Sequence, residues 1–309
     1  MRERGGAEEA VVKLRWYSHG LNRLSYYRLA HAASVVLPRP VRLVLARAVA
    51  RAAMRALPTE RQVVRSNLGR VLAGRTPREL DEAVRGTFAN FGAFFVDFLV
   101  LNRAGPERLS PYVGRRAGDE HVDEAFAAGR GAVLLTAHLG NWELGGRLLA
   151  SRSGVPRTHV VLSVEEDAAL EGRLRVNAPD LRFVTRRHPT STLGLLAALR
   201  RGEAVAMQGD RPTGERGDRW VPFFGEPAAF PIGPFLLARA AGAPVIPAFC
   251  TMAGDGRYRV DVEAPIWVKP GEEMAGLETM VAALERAVRA HPTQWFNFFD
   301  VWAPPVAAA

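Results

Sequence analysis

Two patterns of apolar residues alternate along the second half of the chain. Short unbroken apolar runs read as buried strands, and apolar residues spaced three or four apart read as helices with one packed face. "GAVLLTAH", Gly131 to His138, is the first such run. "WELGGRLLASRS" then reads as a helix, "THVVLSV" as a strand, "EEDAALEGRLRV" as a helix and "LRFVT" as a strand. "STLGLLAALRRGE" is a helix, "AVAMQGD" a strand, "GPFLLARAAG" a helix and "APVIPAFC" a strand. "RYRVDVEAPI" adds another strand and "LETMVAALERAVRAHP" a closing helix. This alternation predicts an α/β fold with a largely parallel central sheet flanked by helices.

The first part of the chain reads differently. Tyr17 to Leu57 is apolar with repeated arginines, and Pro38 and Pro40 divide it into two helices. Arg47, Arg51 and Arg55 recur every four residues and form one basic stripe, with Leu43, Val44, Val49 and Ala52 elsewhere around the helix. Such a helix can lie on anionic lipid or be an ordinary surface helix. Thr59 caps the next helix, and Pro77 starts one that runs to about Leu101 through "FANFGAFFVDFLVL". Aromatic stripes usually pack inside, so core is the favoured reading over a membrane-facing patch. The expected division is a helical, membrane-associating region over 1–115 and an α/β domain over 116–309.

The 309 residues are 48% apolar, carry a formal net charge of +9 and include one cysteine, Cys250. One cysteine excludes an intrachain disulfide framework and a cysteine-rich zinc site, and it suits a reducing compartment. The positive charge favours anionic partners: phospholipid head groups, phosphorylated substrates, acidic carrier proteins or nucleic acid. Basic motifs interleaved with aromatics and helix-turn-helix signals are absent, so nucleic acid is not an expected partner. "MRERGGAEEAVVKLR" is too charged for a signal peptide, and no run of about eighteen apolar residues marks a membrane span.

The candidate chemistry lies in "LLTAHLGNWELGG". On one continuous helix, His138 and Glu143 would be rotated about 140° apart and would not share a face. Gly140 permits a sharp bend between them, and Asn141 is a good helix cap. Glu143 then sits in the first helical turn, with His138 at the strand end. A carboxylate folded back onto one imidazole nitrogen would leave the other free to accept a proton. Asp210, also at the end of an apolar strand, is a second candidate. A lone histidine at a strand end is more often structural, so the pair alone does not decide the matter.

"AHLGNWELGG" resembles the H-x4-D/E motif of the lysophospholipid acyltransferase superfamily. "RQVVRSNLGRVL", "QGDRP", "VPFFGEPAAFPIGPFLLARAAGAPVIPAF" and "HPTQWFNFFDVW" narrow the resemblance to its lipid A biosynthesis acyltransferase branch. That branch also contains phosphatidylinositol mannoside acyltransferases. The resemblance covers most of the chain. It implies acyl transfer from an acyl-carrier-protein or coenzyme A thioester to a lipid hydroxyl, without a metal or bound cofactor. His138 would be the general base and Glu143 its orienting partner. Asp210 would complete the catalytic set, with Arg175 (or Arg173) and Arg211 contacting a phosphate or the donor. Gly140 and Asn141 would contact substrate, and backbone amides around Gly140 or Gly209 would stabilise the oxyanion. The implied setting is the cytoplasmic face of the bacterial inner membrane, with peripheral or monotopic attachment, as a monomer.

The prolines and arginines before residue 57 depart from the single membrane span of the lipid A members, and "GDRP" departs from their second motif. The acceptor therefore stays open between a lipid A precursor, a phosphatidylinositol mannoside and another glycolipid or aminolipid. Two other readings remain: a non-catalytic basic module on lipid surfaces, and thioester hydrolysis. His19, His31, His121, His159, His188 and His291 show no ligand spacing and read as structural or exposed. Trp220, Phe223 and Phe224 line an acyl groove or pack in the core. "TRRH", Thr185 to His188, meets an acidic carrier or is a solvated loop.

Overall fold

The computed structural model describes residues 34, 36–102, 104–162, 179–185, 189–213 and 217–304. The helix expected in "EEDAALEGRLRV", with Arg173 and Arg175, lies outside the described residues. So do His19, His31, His188 and most of the helix expected before Pro38.

Among the described residues, three long helices come first: α1 (Arg39–Ala53), α2 (Pro58–Val71) and α3 (Pro77–Leu101). Proline begins α2 and α3 in the first turn, where its missing N–H costs nothing. Thr76 and Glu79 form a reciprocal capping box at the start of α3. The α2 cap differs from expectation: Leu57 precedes Pro58, and no side chain caps the helix.

The apolar stripe of α3 is core. Phe88, Phe94 and Phe98 are buried, and Phe91 packs edge-on against Phe296 and Phe298 at 5.4 and 5.2 Å between ring centres. The helix is long and apolar enough to cross a membrane, yet it is largely covered by protein. It also carries Asp97, fully buried, which accepts from Arg39 at 2.6 Å, Arg42 at 3.1 Å and the Tyr258 hydroxyl at 3.0 Å. A buried carboxylate with this many donors pins α1 and α3 to the sheet. A side chain at Gly92 would meet the Ala46 carbonyl of α1 at 2.6 Å, which shows how closely the two helices cross.

The rest is an α/β layer structure. Its strands are β1 (Val113–Ala117), β2 (Ala132–Thr136), β3 (Thr158–Leu162), β4 (Leu181–Thr185) and β5 (Ala204–Gln208). A hairpin follows, β6 (Asp218–Phe223) and β7 (Glu226–Pro231), then β8 (Val245–Met252) and β9 (Tyr258–Val262). The longer helices among the described residues here are α4 (Asp119–Ala127), α5 (Trp142–Ala150), α6 (Pro189–Arg200), α7 (Gly233–Ala241) and α8 (Glu273–Ala290).

The main sheet has the order β1-β9-β8-β2-β5-β3-β4. β8, β2, β5, β3 and β4 run parallel, and β9 turns back antiparallel on β8. The central strands are buried on both faces, as helix-covered parallel strands are. One face packs on α6, α7 and α8, and the other on α4 and α5.

Sequence reading missed β1, α4 and the hairpin. β1 pairs with β9 across residues 115 and 116, so the first strand of the sheet straddles the expected boundary. The hairpin turns at Phe224 and Gly225, both with positive φ, as a two-residue hairpin turn requires. Phe223 is fully buried against Phe230, Trp295 and Trp302, so it is core, whereas Trp220 is half exposed.

Candidate active site

β2 and β5 lie side by side in register, Thr136 opposite Gln208. Two residues beyond each strand stand His138 and Asp210. Adjacency of the two strands therefore brings together side chains that are 72 positions apart in sequence. His138 Nδ1 lies 2.8 Å from Asp210 Oδ1, and the His138 backbone N–H donates to Asp210 Oδ2 at 3.1 Å.

This corrects one expectation. A carboxylate does hold the imidazole, but it is Asp210 rather than Glu143. Glu143 is buried in the first turn of α5, and its charge acts on His138. The strand end and the helix start put Glu143 beside the ring, while the parallel neighbour strand aims Asp210 straight at it.

Asp210 has no exposed surface. Asn297 Nδ2 donates to its Oδ2 at 3.0 Å and Trp295 Nε1 at 3.3 Å. Burial alone would raise the Asp210 carboxyl, but His138, Arg211 and Asn297 together hold it well below the usual carboxylate range. Burial lowers the His138 imidazole below its ordinary value, and the Arg211 charge adds to this against the opposing pull of Asp210. The resting pair is thus a neutral imidazole on an ionised carboxylate. With Nδ1–H donated to Asp210, Nε2 carries the lone pair that can take a proton. The ring is 15% exposed in its side chain and meets Trp142 edge-on at 4.9 Å.

The turn between strand and helix is fixed by its backbone. Gly140 has φ 64°, and a Cβ there would sit 2.1 Å from the Cys250 carbonyl oxygen, so only glycine fits. Asn141 caps α5, its Oδ1 accepting from the Leu144 N–H at 3.0 Å. The closing segment clamps the turn: the Phe296 N–H donates to the His138 carbonyl at 2.7 Å and the Gly140 N–H to the Gln294 carbonyl at 2.9 Å.

These bonds alter a second expectation. The Gly140, Asn141 and Gly209 amides already donate to Gln294, Cys250 and Thr136, so none of them is open to an oxyanion. Arg211 donates to Asn297 Oδ1 at 3.0 Å and to the Phe296 carbonyl at 3.1 Å, which places its charge beside the dyad and braces the clamp.

Trp295 and Asn297 are functional residues that the sequence did not assign. Their motif was recognised, but nothing in its spacing pointed to Asp210, 85 or more positions earlier. Among the described residues, no cluster of three or more His, Cys, Asp or Glu side chains could hold a metal ion.

A mainly apolar cavity of about 60 Å³ lies between α5 and the sheet, and neither His138 nor Asp210 lines it. Trp142, Glu143, Thr136 and Gln208 line its site end, and Leu134, Ala206, Ala248 and Val262 line its depth.

A profile described as bacterial lipid A biosynthesis acyltransferase matches residues 21–303. The chain belongs to that family. It is 28% identical over 246 residues to a phosphatidylinositol mannoside acyltransferase of Mycobacterium tuberculosis, covering 77% of this chain and 76% of that protein. It is also 27% identical over 262 residues to the lipid A biosynthesis lauroyltransferase of Escherichia coli, covering 82% and 81%. The palmitoleoyltransferase of the same organism is 23% identical over 265 residues, covering 84% of each. The protein is an acyltransferase of the lipid A and glycolipid type.

Proposed function

We propose that this acyltransferase moves a fatty acyl group from an acyl-carrier-protein or coenzyme A thioester to a hydroxyl of a membrane glycolipid. The observation that carries the reading is the His138–Asp210 pair at the carboxyl ends of two adjacent parallel strands. His138 Nε2 takes the acceptor's hydroxyl proton as the oxygen attacks the thioester carbonyl. The C–O bond forms, the C–S bond breaks, and the proton passes from the imidazolium to the departing thiolate. Asp210 fixes the tautomer and balances the imidazolium, as the carboxylate of a catalytic triad does. Glu143 adds a second negative charge near the ring. No bound cofactor enters this scheme.

The acceptor reading is a membrane glycolipid, in the range spanned by lipid A precursors and phosphatidylinositol mannosides. Helix α1 supports the membrane setting. Val41, Val44, Leu45 and Val49 are exposed on it at 46%, 65%, 48% and 67%, and Arg51 and Arg55 are exposed near its end. An apolar face edged by arginine suits the surface of an anionic leaflet. Arg47 departs from the expected stripe: it turns inward, to Met252 Sδ at 3.4 Å.

Mass spectrometry of total lipids from cells with and without the gene tests the reading. The expected result is loss of one acyl chain from a glycolipid, restored by the wild-type gene and not by His138→Ala. An unchanged lipid profile, or full rescue by His138→Ala, would refute it.

A further inference from the structure

We infer that Asn67 is a positioning residue for acyl transfer: from α2 it fixes the register of the closing segment, and with it the reach of Trp295 and Asn297 to Asp210. The inference rests on the transferase reading above. Asn67 stands where packing alone calls for an apolar side chain. It lies between Val64 and Val71 on the inner face of α2, both of them buried, and is itself 2% exposed. Asparagine is also a weaker helix former than alanine or leucine. The "RQVVRSNLGRVL" motif thus sets an amide inside an apolar stripe, where it costs free energy unless it is hydrogen-bonded.

What that amide binds is backbone. Its Nδ2 donates to the Asn297 carbonyl at 3.1 Å and to the Phe299 carbonyl at 2.8 Å, and its Oδ1 accepts from the Val301 N–H at 3.4 Å. Residues 296–300 belong to no helix or strand, so their backbone groups find partners outside any ladder. One side chain on α2 takes three alternate residues of the segment, much as a neighbouring strand would.

Register matters because the two sides of the segment differ. Phe296 packs on Phe91 of α3 at 5.4 Å between ring centres, and Phe298 on Phe88 at 5.3 Å. Asn297 turns the other way, to Asp210 Oδ2 at 3.0 Å, and Arg211 lies over the Phe299 ring at 5.2 Å. A slip of one residue would present a phenylalanine to Asp210 and push Asn297 among the aromatics of α3. Just upstream, the Phe296 N–H holds the His138 carbonyl at 2.7 Å and the Trp295 indole donates to Asp210 at 3.3 Å. The segment therefore touches both members of the dyad, and Asn67 holds it at the very residue whose side chain holds the carboxylate.

The test uses the purified full chain, a long-chain acyl thioester as donor and the glycolipid fraction as acceptor, with Asn67→Ala, Asn297→Ala and the double variant. Asn67→Ala should lower kcat by about ten- to a hundredfold, the scale of a misplacement of about 1 Å, with KM for the donor within about twofold. Because residue 67 acts through residue 297, the double variant should fall within about threefold of Asn297→Ala alone, whereas independent losses would multiply. Both single variants should move the acid limb of the rate to higher pH, since an Asp210 with fewer donors holds the imidazolium more firmly. Arg211 and Glu143 are the other charges acting on the ring, and both remain in each variant. Asn67→Leu fills the site with an apolar side chain, should give the same limb shift, and serves if the alanine variant does not fold. Losses that multiply in the folded double variant would overturn the inference and leave the transferase reading standing. So would an acid limb that stays in place. No transfer by the wild type, or full transfer by His138→Ala, would overturn both.

Discussion

Two histidine–carboxylate pairs bridge neighbouring strands of one sheet, and their bond lengths nearly agree. His138 and Asp210 lie 2.8 Å apart at the carboxyl ends of β2 and β5, and His159 and Glu203 lie 2.7 Å apart at the amino ends of β3 and β5. What differs is the company each pair keeps. Asp210 takes its other hydrogen bonds from an amide, an indole and a backbone N–H, which leaves the imidazole as its direct ionisable partner. Glu203 is already engaged by Arg201 at 2.9 and 3.1 Å. A short bond to a carboxylate is therefore no mark of catalysis. The position at the carboxyl ends of the strands and the company of the carboxylate are the marks.

The largest contrast between the pairs should be in turnover. His138→Ala should lower acyl transfer by about 10²–10⁴-fold or more, the range for losing a general base. His159→Ala should leave kcat within about twofold and lower stability instead. Comparable activity losses in both variants, measured on folded protein, would break the comparison.

Asp210→Asn comes next, with a loss of about 10²-fold or more, because asparagine can favour the wrong tautomer and cannot balance the imidazolium. It carries a second signature. Burial and Arg211 already place the His138 pKa below 6.5, and Asp210 opposes that shift. A neutral His138 is the active form, so the wild-type rate should fall only as pH drops below about 6.5. Removing the Asp210 charge should move that acid limb to lower pH. A limb that stays in place would mean that Asp210 supports the fold but does not tune the base.

The sequence made some of this legible and hid the rest for physical reasons. β2, β5 and β8 were readable because parallel strands covered on both faces become unbroken apolar runs. β1 was not, since "VGRRA" is an edge strand with both arginines exposed. The hairpin was hidden by Pro222, Pro227 and Pro231, which central strands exclude but a two-stranded ribbon tolerates. His138 and Asp210 could each be found at a strand end. Their pairing could not, because it depends on β5 crossing over to lie beside β2. Nearness in sequence favoured Glu143, and the fold favoured Asp210. Trp295 and Asn297 arrive from after the last long helix, and the clamp they form is invisible until the chain closes on itself.

Within that clamp, Asn297→Ala should cost about ten- to a hundredfold in kcat/KM, since it removes a donor to a buried carboxylate and the acceptor for Arg211. The same change should move the acid limb slightly, because Asn297 helps hold the Asp210 carboxyl down. An activity loss with no movement of the limb would assign Asn297 to the fold alone.

The smallest effect belongs to the second pair and concerns stability alone. Arg201 lowers the Glu203 carboxyl most, burial opposes it, and His159 adds to the lowering, for a net shift from 4.5 to about 2. A depressed carboxyl pKa stabilises the native state above the unfolded value and loses that contribution as pH falls through the folded one. The window for Glu203 therefore runs from about pH 4.5 down to about pH 2. The contribution at neutral pH is on the order of 1–3 kcal/mol, nearer the low end because Arg201 is half exposed and screened. Glu203→Gln should lower the urea midpoint at pH 6 and converge with the wild type as pH approaches 2. Transfer activity at pH 7 should hold, because the pair stands at the end of the sheet away from the dyad. A stability gap that does not close in acid would show that the Glu203 side chain stabilises by packing rather than by charge.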